Sequence, residues 1–310
     1  MPGANAPFPI QPELTAIAIA YKNARMIADE VLPRIPVGKQ DFKYLVHNLE
    51  EGFTVPDTSV GRKSKPNEVE FSATEKSEST EDHALDSAIP QVDIDNAPVN
   101  YNPKGKAVEG IQNLIELDRE VRVSSLVFGA DNYAAANKVV LAGSAQFTDP
   151  TSKPIGVIQD AADSLILRPN VMVIGRRAFT VLSRHPSIVK AFNGNSGDSG
   201  QATRDFLAEL FELDKVLVGE ARVNTARKGQ AASVQRAWGS HISLITQETH
   251  ADTMNGMATF GMTAQFGSRI AGSMPDRNIG MRGGEMVRSG ESVKELLTAP
   301  DLGYLIQNIG

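Results

Sequence analysis

Glu248, His250 and Asp252 alternate along the chain, so a strand would turn all three side chains to one face, where they could ligate a metal or act as an acid–base pair. No second set of ligands lies at short range, and a solvated polar loop fits the stretch better. Asn193 to Gly200 (NGNSGDSG) holds glycines that would let a backbone approach a phosphate. It lacks the Gly-Lys-Ser/Thr ending of a P-loop and does not directly follow a strand, so a surface loop is expected. No Gly-x-Ser-x-Gly elbow occurs, and the histidines at 47, 83, 185, 241 and 250 are scattered. His185, just before Pro186, reads as a helix-end residue near the local dipole. Neither a catalytic set, a cofactor site nor a metal site is expected.

Charges that could act between chains are more numerous. Lys63 and Lys65 could reach an asparagine of a neighbour and form an isopeptide bond, although solvated charge is the ordinary state of such lysines. Arg176 and Arg177 read either as a solvated helix start or as partners in an intersubunit ion pair.

The composition bounds what these residues can serve. At 310 residues, two or more lobes around separate cores are expected. A hydrophobic share of 41% and a charged share of 22% are those of a folded globular protein. A net charge of −6 leaves no general basic footprint for nucleic acid, although a local patch remains compatible with it. The sequence holds no cysteine, so disulfides and thiolate metal sites are excluded. No apolar run of about 18 residues could span a bilayer and no signal-like N-terminus precedes the chain, so no membrane partner and folding in the cytoplasm are expected.

The elements that must position these residues follow from periodicity. Pro2, Pro7, Pro9 and Pro12 make residues 1–13 an irregular leader. Leu14, Ile17, Tyr21, Ala24, Ile27 and Val31 predict one helix from Glu13 to Leu32, ended by Pro33 and Pro36 and followed by an extended segment. Between Pro56 and Pro90 the chain turns polar, with Arg62, Lys63 and Lys65 first and Glu75, Glu78, Glu81 and Asp82 after. Val69, Phe71 and Ala73 alternate there with Glu68, Glu70, Ser72 and Thr74, which predicts a strand within a projecting hairpin arm, the alternative being a disordered acidic loop. Val108, Ile111, Leu114, Ile115, Leu117 and Val121 define the apolar half of a long helix from Ala107 to about Phe128, with Gln112, Glu116, Arg119 and Glu120 among its polar half. From Pro154 to Ile245 helices and strands alternate in a compact α/β lobe. The tail from Thr259 is rich in glycine and reads as short strands and turns, and its apolar end at Leu302 to Ile306 should be tied into a sheet.

This order of parts resembles the Hong Kong 97 type major capsid protein of tailed phages. Residues 115–123 (IELDREVRV) look like the long spine helix of one phage subfamily, and FTDP at 147–150 with Pro154-Ile155 is similar to the start of its axial domain, which often carries tryptophan where this chain has Gln146. RPNVMVIG at 168–175 and LSRHP at 182–186 resemble that domain's first strand and helix. KVLVGEA at 215–221, Asn224-Thr225-Ala226 and Ala237-Trp238-Gly239 resemble its later segment, and TAPDLGYLI at 298–306 resembles the family's C-terminal strand.

The resemblance implies an α+β fold with an N-terminal arm at 1–50, an extended loop at 51–96, a peripheral domain at 97–153 and 246–310, and an axial domain at 154–245. It implies a non-enzymatic shell subunit of the virion, assembled in the host cytoplasm from hexamers and pentamers of itself around double-stranded DNA that it contacts without specificity. A separate scaffolding protein, a portal and a decoration or cement protein are the further partners expected, since the first helix begins almost at once where the family often carries a scaffolding segment that is later removed. Intersubunit contacts are expected from the arm (Arg62, Lys63, Lys65, Val69, Phe71, Glu75, Glu78 and Glu81), from Arg176 and Arg177, and from Asn193, Gly194 and Asp198 near the symmetry axes. Maturation of such a shell needs two packings close in free energy, with the spine helix and the tail as the places to bend. An encapsulin-type nanocompartment shell is the alternative.

Overall fold

The computed structural model describes residues 8–47, 53–69, 73–194, 197, 199–227, 229–248 and 259–310. Helix α1 (Pro12–Ala20) starts with proline at a position whose missing N–H would have no partner anyway, and it buries Leu14 and Ala18. The single helix expected from Glu13 to Leu32 is interrupted: residues 21–27 run as irregular chain before the one-turn α2 (Ala28–Val31). The cause is tertiary. The backbone N–H groups of Asn23 and Ala28 donate to the carboxylates of Glu116 (3.2 Å) and Glu120 (2.6 Å) on the long helix, bonds that a continuous helix would leave unmade.

Strand β1 (Arg34–Val37) leads to β2 (Asp41–His47), which pairs antiparallel with β3 (Ala73–Ser79), from Asp41 opposite Ser79 to His47 opposite Ala73. This is the projecting arm. Its outgoing strand is the segment after Pro36, and its return strand begins at Ala73, later than the alternation from Glu68 predicted. Phe42 and Tyr44 hold the base of the arm against Met262, Ala264 and Leu296. The chain then passes into β4 (Glu81–Pro90), which leaves the arm and joins a second sheet, and into the short α3 (Gln91–Asp95).

Helix α4 (Pro103–Val127) is capped by the Asn102 side chain, which accepts from the N–H groups of Lys104 and Gly105. Its 25 residues run about 37 Å at 1.5 Å per residue. Val108, Ile111 and Ile115 pack on Leu14 and Ala18 of α1 and on Ile89, Ala271 and Val287 of the sheet. The division into apolar and polar halves fails on both sides. Leu114 is 54% exposed, whereas Gln112, Glu116, Arg119 and Glu120 are buried, because the N-terminal segment and the sheet cover the charged side as well.

That sheet has the order β1-β11-β12-β4, with β11 (Gly261–Asp276) and β12 (Gly284–Leu297) as a long antiparallel pair. The short strands and turns expected here are instead strands of 16 and 14 residues. Two of the glycines permit close backbone approach within the sheet: a Cβ at Gly272 would lie 2.1 Å from the Pro9 carbonyl oxygen, and one at Gly290 would lie 2.8 Å from that of His83. Where the register shifts, between Phe266 and Ile270, Gly267 supplies φ +67°.

The remaining elements are β5 (Lys138–Val140), α5 (Pro154–Asp163), β6 (Val171–Gly175), α6 (Arg176–Ser183), α7 (Pro186–Phe192), α8 (Arg204–Leu210), β7 (Lys215–Gly219), β8 (Arg222–Asn224), β9 (Val234–Arg236), β10 (Ile242–Ile245) and β13 (Gly303–Gln307). They form a five-stranded mixed sheet of order β5-β13-β10-β6-β7, and β8 pairs only with β9 in a separate hairpin. Strands β6 and β7 are parallel and almost wholly buried, so they read as continuous apolar runs. The apolar tail is tied into this sheet: Leu305 and Ile306 of β13 lie opposite Ser243 and Ile242 of β10. Strands β5 and β13 therefore complete the sheet of the 154–245 lobe, although the expected boundaries put both in the peripheral domain.

Candidate assembly joint and interface residues

At the centre of the molecule a set of charges joins the N-terminal segment, α4 and the long sheet. Glu291, whose side chain is wholly buried, accepts from both Nη atoms of Arg34 (2.8 and 3.2 Å) and from Nε of Arg269 (3.0 Å). Arg269 also donates to Glu116 (3.1 Å) and to the carbonyls of Ala18 (3.2 Å) and Tyr21 (3.0 Å), fastening the end of α1. Arg119 donates to Asp29, to the Leu32 carbonyl (3.2 Å) and to the Thr263 hydroxyl (2.9 Å). Arg122 grips Glu295 with two nitrogens, at 2.9 and 3.2 Å.

Burial opposes the Glu291 carboxylate, but Arg34 and Arg269 outweigh it and hold its pKa below the usual range. Asp29 is lowered in the same way by Arg119 and Arg34, against its own burial. Glu116 and Glu120 are raised, in both cases chiefly by burial, which their hydrogen-bond donors offset only in part. In one half of the joint pairing outweighs burial and lowers the carboxyl pKa values, and in the other half burial outweighs the donors and raises them.

A second contact ties α4 to the 154–245 lobe. The chain's single tryptophan, Trp238, is wholly buried, and its Nε1–H donates to Glu120, which also receives the Ala28 N–H. Its ring meets Phe128 edge-on at 5.5 Å. It fits because Gly219 carries no side chain: a Cβ there would lie 2.1 Å from the indole. Sequence reasoning placed Trp238 in a family-like segment and missed this role. Its uniqueness in the chain, beside a strand ending in glycine, was the available signal.

The residues expected to contact neighbours are dispersed. Arg62 and Lys63 are exposed in the outer part of the arm, Lys65 pairs with Glu68, and Val69 is 58% exposed. Phe71 and Asp198 lie outside the described residues. Glu75 pairs with Lys43 and Glu81 with Lys294, each at 2.5 Å, while the negative charge of Glu78, after burial, helps raise the Tyr44 hydroxyl pKa. Arg176 binds Glu220 (3.2 Å) and lies over the Phe179 ring, so it is engaged within its own chain, whereas Arg177 is exposed. Asn193 ends α7, and its Nδ2 donates to the carbonyls of Gly197 (3.2 Å) and Ser199 (3.4 Å); Gly194 takes φ +55°.

The chemistry candidates dissolve on inspection of their surroundings. His250 and Asp252 lie outside the described residues, and among the described residues no group of three or more His, Asp or Glu could hold a metal. His185 caps α7: its Nδ1 accepts from the Ser187 N–H (3.2 Å), which leaves Nε2–H to donate to the Asp149 carbonyl (3.1 Å). Burial lowers its pKa, and it serves the start of a helix by hydrogen bonding. Among the described residues no helix is long and apolar enough to cross a membrane.

The architecture is thus a two-stranded arm, a long helix under a four-stranded sheet and a mixed α/β lobe. The structure is similar to that of a phage-related protein from Bordetella bronchiseptica (TM-score 0.76, 23% identity, 98% of this chain and 99% of that one). It is also similar to the capsid of the cyanophage P-SCSP1u (TM-score 0.58, 8% identity, 93% and 89%), consistent with the Hong Kong 97-like fold. In sequence, a model of the family described as phage major capsid protein E matches residues 128–276. The chain is 63% identical, over 98% of each, to the major capsid protein of Pseudomonas phage JBD67. This chain belongs to the phage major capsid proteins, a structural and not an enzyme family, and the nanocompartment alternative is not favoured.

Proposed function

We propose that the chain closes an icosahedral shell of hexamers and pentamers around double-stranded DNA, with the arm of β2 and β3 lying across the adjacent subunit and the 154–245 lobe facing the symmetry axes. The single observation that carries this reading is the arm: beyond its base, residues 53–69 are all exposed. A monomeric binding module has no use for such an excursion, whereas a shell multiplies modest contacts through symmetry. Residues 1–50 act in this scheme as the N-terminal arm, 51–96 as the extended loop, and 97–153 with 246–310 as the peripheral domain, except that β5 and β13 serve the axial lobe's sheet. Arg62, Lys63, Val69, Arg177 and Gly194 are the exposed or loop-tip residues assigned to neighbours. A separate scaffolding protein, a portal and a decoration protein complete the assembly, which takes place in the host cytoplasm, and the subunit carries out no catalysis.

Electron microscopy with sedimentation, applied to the chain expressed alone and with its neighbouring gene products, tests the proposal. Closed shells, tubes, or rings of five and six support it. A monodisperse monomer under both conditions contradicts it.

A further inference from the structure

Four arginines from three distant parts of the chain line one open cleft of about 540 Å³ between residues 21–27, α4 and the end of the β6–β7 pair: Arg25, Arg176, Arg222 and Arg236. The lining includes one carboxylate, Glu220, and that group is already bound by Arg176 (3.2 Å) and by Arg204 (2.9 Å). Arg25, Arg222 and Arg236 are exposed and form no ion pair among the described residues. The chain as a whole carries −6, yet between Glu220 and Glu248 it has Arg222, Arg227, Lys228 and Arg236 and no acidic residue.

The position of two of these groups is costly without a ligand. Arg222 and Arg236 lie directly opposite each other in the β8–β9 hairpin, which pairs with no other strand. Like charges at facing positions destabilise a two-stranded ribbon. The cost disappears when an anion sits between them. Arg25 is brought to the same cleft by Asn23, which is anchored through its Nδ2 to Asn113 (2.9 Å) and through its N–H to Glu116 (3.2 Å). The cleft is therefore assembled by tertiary structure and is not a by-product of a local basic run.

We propose that this cleft binds the phosphodiester backbone of DNA, so that the subunit holds the enclosed genome at a defined place. Guanidinium groups suit phosphate because their planar forks donate two parallel hydrogen bonds, and they carry no sequence preference when used on the backbone. An open cleft with several such forks fits an extended polyanion that presents a charge about every 1.7 Å better than it fits one small anion. The proposal rests on the reading of the shell as one that encloses DNA, and its test separates the two.

The experiment compares the full chain with R222Q/R236Q and, as a control away from the cleft, Arg282→Gln. Binding of a short fluorescent DNA duplex to unassembled subunits is measured by anisotropy across a series of salt concentrations, and shells are scored by electron microscopy. The expected result is a loss of affinity of about tenfold or more and a fall in the salt slope of about 2 for the double variant, with shells still forming and the control unchanged. Unchanged affinity and slope in the double variant, or no duplex binding by the full chain, overturns the cleft proposal. Shells that form with unchanged DNA affinity spare the shell reading while removing this one, whereas an absence of shells from the full chain fails the shell reading itself. Loss of shells by the double variant with DNA affinity intact also overturns it, and assigns the cleft to carboxylates of a second copy.

Discussion

The 154–245 lobe and the joint beneath the long sheet are held together by opposite means. In the lobe, the side chains of Met172, Ile174, Val216, Val218, Ile242 and Leu244 meet one another and the helices in an apolar cluster. At the joint, Arg119 and Arg269 are buried with Glu116 and Glu291, half-buried Arg34 and Asp29 join them, and the pairing spans residues as far apart as 34 and 291. Apolar packing is forgiving of exact position, whereas buried ion pairs hold only in one arrangement, because a lost partner leaves an uncompensated charge. Apolar packing thus holds the lobe, and paired charge fixes how the N-terminal segment, helix and sheet stand to one another.

The contrast can be broken most strongly at Glu291. Replacing it with leucine leaves buried Arg269 and half-buried Arg34 without their shared carboxylate, and unfolding in urea should show a loss of about 3–5 kcal/mol. A conservative change in the lobe, Val173→Ala or Ile174→Val, should cost less, about 0.5–2.5 kcal/mol. Trp238→Phe keeps most of the apolar contact but removes the donor to buried Glu120, and about 1–3 kcal/mol should be lost in the same measurement.

The joint should also impose a pH signature of its own, apart from that of the lobe's buried His185 and His241, whose lowered values favour the folded state above the ordinary histidine value. Glu116 and Glu120 have raised values, so their contribution is complete below the ordinary glutamate value and fades as pH rises through their folded values. Glu291 and Asp29 have lowered values, so theirs is complete above the ordinary carboxylate range and is lost as pH falls through their folded values. The joint's contribution, followed by denaturant midpoint, should therefore rise as pH falls through the folded values of Glu116 and Glu120, then drop as pH falls through those of Glu291 and Asp29, and E116Q/E120Q should flatten the upper limb. The smallest effect belongs to the arm: Lys43→Ala removes an exposed pair with Glu75 and should change stability by less than about 1 kcal/mol.

The same contrast explains what could be read from the sequence. Strands β6 and β7 are buried on both faces, so VMVI and KVLV announce themselves, as does the periodicity of α4. The helix expected to run from Glu13 to Leu32 breaks because Glu116 and Glu120, about 90 residues away, claim backbone donors that local propensity had assigned to the helix. The long β11–β12 pair was hidden by its glycines, which serve close approach of Pro9 and His83 and not only turns. Burial of Gln112 and Arg119 could not be seen because their partners, Ser289 and Asp29, lie on other elements. The own-chain partners of Lys65, Glu75, Glu81 and Arg176 were also hidden, because all but that of Lys65 lie on distant elements.

The most direct test removes the stretch between β2 and β3. A chain in which residues 48–72 are replaced by a two-residue turn keeps β2, β3 and the whole joint. Its unfolding midpoint should match that of the full chain, while electron microscopy and sedimentation under conditions that give shells should find only unassembled subunits. Normal shells from this variant would contradict the account, because the arm would then have no part in holding neighbouring subunits together.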